Sequence, residues 1–162
     1  MSKRSRKLIT ERLPTQSDFV THPADLDQTC AWEHFGGLTL DEAKVRFAEN
    51  ALHYQEDFMF MGANAFLYYF PVLDDYLRSA PDEENDDDWE SWIIAQCIRA
   101  QFDRTTIDRL KRTVPQIVEL AGFVRDNIRR FGCDHAEQQR VADAWTDLVR
   151  HIESLGNGQG EA

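Results

Sequence analysis

The sequence predicts an all-α protein, a compact bundle of about five helices whose aromatic-rich second helix is kinked. Three observations carry that expectation. Apolar residues recur at three- and four-residue steps in every long segment, Gly and Pro punctuate the chain between segments, and no stretch alternates with period two between hairpin turns, the short Phe58–Met61 run apart. A chain of 162 residues can bury one core without disulfides or metal.

The elements follow in order. Residues 1–20 are basic and weakly periodic, and are expected to form a mobile arm or a docked extension; residues 21–155 read as a single helical domain and 156–162 as a disordered tail. Behind the Gly36–Gly37 break, Thr39 and Glu42 form a T-x-x-E capping box. It opens a helix to about Leu52 with Leu40, Ala43, Phe47 and Ala51 at helical steps. Gly62 separates this helix from a segment in which Phe66, Tyr69, Phe70, Leu73 and Leu77 keep the same spacing. Pro71 sits inside that pattern, lacks a backbone donor and crowds the carbonyl of Leu67, so a kink or a restart is expected there.

Trp89 to Asp103 reads as a buried helix, because Trp89, Trp92, Ile93, Ile94, Cys97, Ile98 and Phe102 cover most of its circumference. A short piece from Thr106 to Arg112 leads to Pro115, which suits the first turn of a helix striped by Ile117, Ala121, Val124, Ile128 and Phe131 and stopped by Gly132. Asp134 and Glu137 start the last helix, whose Val141, Trp145, Leu148, Ile152 and Leu155 alternate steps of four and three. The expected core comprises Phe47, Phe66, Tyr69, Leu73, Ile94, Ile98, Val124, Ile128, Trp145, Leu148 and Ile152.

Charge and cysteine content narrow the function classes. The net charge of −11 is uneven. Residues 41–90 hold 14 acids against 3 bases (−11), residues 99–131 hold 8 bases against 4 acids (+4), and the remainder sums to −4. Phosphate backbones repel such a chain, so nucleic acid is not the expected primary partner; the basic stretch is expected to face the acidic half within the fold or in a homodimer. No apolar run approaches the ~20 residues that cross a bilayer, so no membrane association is expected. Cys30, Cys97 and Cys133 are odd in number and lack a C-x-x-C pair, which points to a reducing cytoplasm rather than a disulfide framework.

The densest signal is Glu56–Arg78, where Phe58, Met59, Phe60, Met61, Phe66, Tyr68, Tyr69, Phe70 and Tyr76 are bracketed by Glu56-Asp57 and Asp74-Asp75. Such a run is core, ligand wall or partner surface. As a partner surface it would present Tyr68, Asp74, Asp75 and Tyr76. As a metal site it would use His53, Glu56 and Asp57, since positions three or four apart share a helix face, and as an acid–base site a pair drawn from Glu56, Asp57, Asp74 and Asp75 beside a cleft. No second Glu-x-x-His copy supports a di-iron site, and no cofactor is expected. The adjacent pairs Glu33-His34 and Asp134-His135 would point apart on a helix. Cys133-Asp134-His135 reads as a helix-capping loop before it reads as a nucleophile. The acidic run Pro81 to Asp88 lacks the order of a calcium loop and suits capping of the helix at Trp89.

The string Met61–Leu77, MGANAFLYYFPVLDDYL, with Gly62, Ala65, Phe66, Tyr69 and Pro71 as its key letters, resembles a pattern in small uncharacterised bacterial proteins of unknown function. The resemblance implies a helical bacterial protein and transfers no catalytic residue. The leading expectation is a non-enzymatic interaction protein, an acidic inhibitor or immunity-type binder of a basic partner. The alternative is a metal-binding or small-molecule enzyme with a pocket beside residues 58–70.

Overall fold

The computed structural model describes residues 12–79 and 91–158. All regular structure among them is helical: α1 Gln16–Phe19, α2 Leu26–Phe35, α3 Leu40–Glu49, α4 Ala51–Tyr54, α5 Asp57–Phe60, α6 Ala63–Arg78, α7 Ser91–Ala100, α8 Ile107–Leu110, α9 Val114–Asp126 and α10 His135–Asn157, with 3-10 turns at Lys111–Thr113 and Ile128–Arg130. The helices outnumber the expected five because Gln16–Phe19 and Leu26–Phe35 are helical ahead of the first expected helix, and because single turns stand at Ala51–Tyr54, Asp57–Phe60 and Ile107–Leu110. The aromatic-rich helix is accordingly the sixth. The acidic run Pro81 to Asp88 and Trp89 lie outside the described residues.

Local chemistry explains most boundaries. The Thr39 hydroxyl accepts the Glu42 amide while the Glu42 carboxylate accepts the Thr39 amide, so the capping box forms as read. Its helix stops at Glu49 rather than Leu52. Asn50 leaves helical geometry and its side chain accepts the amide of His53, starting α4 afresh. Asp134 caps α10 by accepting the Glu137 amide at 2.8 Å, and Pro115 lies in the first turn of α9. That helix ends at Asp126, so Ile128 belongs to the following 3-10 turn and is half-buried, not core. Phe58–Met61, the one candidate for strand alternation, begins with the helical turn of α5.

Helix α6 runs unbroken past Pro71, with no restart. Its face of Ala65, Phe66, Tyr69, Phe70, Val72, Leu73 and Leu77 is buried, and each large apolar side chain contributes about 1.5–3 kcal/mol before entropy is subtracted. The missing Pro71 donor is one local loss against that packing.

Two helical groups share one continuous core. In the first, α1 packs on α2 and α6, α2 on α5, and α3 on α6; in the second, α10 lies along α7 and α9. Contacts of α5 with α7, and of α6 with α8 and α9, join them. The end of the expected N-terminal arm is docked. Phe19 is fully buried against Trp32 and Tyr69, and the Gly62 amide donates to the Phe19 carbonyl at 2.9 Å. Residues 1–11 lie outside the described residues, and at the other end α10 extends into the anticipated tail as far as Asn157.

Candidate functional site

The structure assembles its polar cluster where α2 ends against the short turns α4 and α5. Helix α2 is held there by its carbonyl end: the Arg46 guanidinium donates to the His34 carbonyl, and the Tyr69 hydroxyl shares its proton between the carbonyls of Phe35 (3.0 Å) and Leu38 (2.7 Å). These bonds satisfy acceptors that a helix terminus leaves open. They also place the His34 ring beside α5.

There, His34 Nδ1 lies 2.7 Å from Asp57 Oδ2. The His34 ring also meets the rings of His53 (5.3 Å) and Tyr54 (5.2 Å), and Tyr54 packs edge-on against Phe35. Asp57 is only 7% exposed, whereas His53 and Glu56, which precede it, are exposed. Burial pushes the Asp57 carboxyl above its ordinary value, the nearby Glu56 charge adds to this, and the hydrogen bond and charge of His34 oppose it. Behind the pair, burial pushes the Cys97 thiol up to about 12, with the Glu56 and Asp57 charges acting in the same sense. Cys97 therefore stays a thiol and is no nucleophile at neutral pH.

Gln101 supports the cluster from α7's end. Its side-chain amide, itself buried, donates to the carbonyls of Phe58 and Met61, both at 2.7 Å, and so caps the carbonyl side of α5. Gln55 Oε1 is buried with no hydrogen-bond partner among the described residues.

Of the three residues expected to share a face, Asp57 alone points inward. His53 and Glu56 stay exposed, although the His53 ring reaches that of His34. Among the described residues no three His, Cys, Asp or Glu side chains converge as a metal site. The partner of Asp57 is His34, a residue that sequence reading had set aside.

The four expected interface residues divide. Tyr68 is half-buried against Tyr69, Asp75 is exposed, and Asp74 pairs with Arg78 at 3.0 Å. Tyr76 instead packs its ring on Phe47 at 5.0 Å, in the seam between α3 and α6. The Asp74–Arg78 and Asp108–Lys111 ion pairs both lie within one helical turn and do not join the acidic half to the basic stretch. At the Cys133-Asp134-His135 string, Asp134 is engaged as the α10 cap, and Cys133 and His135 are exposed.

Among the described residues no helix is long and apolar enough to cross a membrane. The class defined here is an all-helical protein with a buried carboxylate paired to a half-buried imidazole. Comparison with protein-family models, curated proteins and solved structures returns no match.

Proposed function

We propose that this chain is a non-enzymatic interaction module, an acidic inhibitor or immunity-type protein that binds a partner with a basic surface in the cytoplasm. One observation carries the reading: the outward stripe of α6 sets half-buried Tyr68 one helical repeat from exposed Asp75, with Asp74 beside it, while the opposite face of the helix is locked in the core. A rigid aromatic anchor beside carboxylates suits a cationic partner, the ring supplying contact area and the acids steering the encounter. The test is affinity capture from the native cell with the wild-type chain and with Asp74→Lys/Asp75→Lys. A basic protein captured by the wild type and lost from the double variant supports the proposal. Equal capture by both removes the acidic stripe from it.

The His34–Asp57 pair favours a second reading, a small-molecule site. A buried carboxylate that fixes one imidazole nitrogen orients the ring for proton transfer at the other. A thermal-shift screen of metabolites and metal ions tests it; the reading needs a stabilising compound whose effect is lost in His34→Gln.

A further inference from the structure

We infer that the His34–Asp57 contact is a proton-operated clasp that fastens the α4–α5 segment onto α2. The inference is independent of the α6 stripe. It rests on three observations. The segment is intrinsically weak, since α4 and α5 are four residues each and a single helical turn does not stabilise itself. Its attachment to α2 includes a 2.7 Å contact between two titratable side chains, one of them 7% exposed. Finally, the His34 side chain is 30% exposed and His53 and Glu56 beside the pair are exposed, so solvent protons reach the edge of the cluster.

The groups facing the pair define its charge states. From α2 comes His34 itself, and from α3 the Arg46 guanidinium on the His34 carbonyl. From α4 come the His53 and Tyr54 rings, and ahead of α5 the Glu56 carboxylate. From α7 come the Cys97 thiol and, just beyond its end, the neutral Gln101 amide. No full cation in this set is placed on the Asp57 carboxylate except a protonated imidazole.

Counting protons then gives two states. With one acidic proton the pair is net neutral, either as imidazolium and carboxylate or as imidazole and carboxylic acid, and the hydrogen bond is kept. Loss of that proton leaves a buried anion beside Glu56, with only a neutral N–H donor to compensate it. Burial penalises the lone carboxylate, so the clasp is held while the proton is present and loosens as it leaves. The elevated carboxyl of Asp57 is the same penalty acting on the alkaline side.

Amide hydrogen exchange of residues 51–61, corrected for intrinsic chemistry, tests this between about pH 4 and 8, the range over which carboxyl and imidazole groups titrate. In the wild type, segment opening is expected to grow as the proton leaves, approaching tenfold per pH unit for a one-proton linkage. Asp57→Asn, whose side-chain carbonyl still accepts the Nδ1 proton, is expected to flatten that profile, whereas His53→Gln keeps it. Matching pH profiles in the wild type and Asp57→Asn would overturn the clasp. Should Asp57→Asn not fold, ring nitrogen shifts of His34 in the wild-type chain decide: a titration coincident with the exchange midpoint supports it, and a titration with no accompanying change in exchange overturns it.

Discussion

The side-chain amide of Gln101 donates to the carbonyl of Phe58 at 2.7 Å across 43 residues of sequence, and to Met61 at the same distance. One amide thus satisfies two buried acceptors at the end of α5. The turn that carries Asp57 is held from α7 on one side and from α2 on the other.

Gln101→Leu fills similar space and strands both carbonyls. An unsatisfied buried acceptor costs about 1–3 kcal/mol, so the expected loss is about 2–5 kcal/mol in urea unfolding. Gln101→Glu keeps the shape but removes both donors, and is expected to be at least as destabilising. A loss below 1 kcal/mol in both variants would show that water replaces the amide.

Tyr69→Phe removes only the hydroxyl whose proton is shared by Phe35 and Leu38, leaving the ring in place. The expected cost is about 1–3 kcal/mol, with faster amide exchange in residues 36–39.

Gly62 is required by proximity. A Cβ there would collide with the Asp18 carbonyl, which is backbone and cannot swing away. Gly62→Ala is expected to displace residues 15–20 from α6. Loss of Phe19 from the core would cost about 3–5 kcal/mol, readable as proteolytic sensitivity near Val20. An unchanged thermal midpoint would contradict the close approach.

Trp145 is fully buried in α10 and its indole N–H has no hydrogen-bond partner among the described residues. Trp145→Ala is expected to cost about 3–5 kcal/mol, and Trp145→Phe well under half of that, since phenylalanine keeps most of the volume and removes the unpartnered donor. A Trp145→Ala loss below about 1 kcal/mol would place the residue outside the core.

The folded Asp57 carboxyl titrates above its unfolded value of 3.8, chiefly through burial. Between the two values the native state binds more protons than the unfolded one, so stability is full below the unfolded value and falls as pH rises through the folded one. Asp57→Asn is expected to lose that decline. Urea midpoints across the acid range, wild type against variant, measure it.

Whatever rests on neighbours three or four residues apart could be read directly. The Thr39–Glu42 box, the Asp134 cap, Pro115 in the first turn of α9 and the apolar seam from Val141 to Ile152 are local, because a helix brings such positions together wherever it forms. Long-range packing decided the rest. His53 and Glu56 stay exposed beside buried Asp57, and the return of the chain presents His34 from another helix as its hydrogen-bond partner. Gly62, read as a separator, is the floor on which Phe19 docks, and Pro71, read as the site of a kink or a restart, starts no new helix. A pattern along one helix says which side faces inward. Only tertiary closure says which residue, dozens of positions away, arrives to meet it.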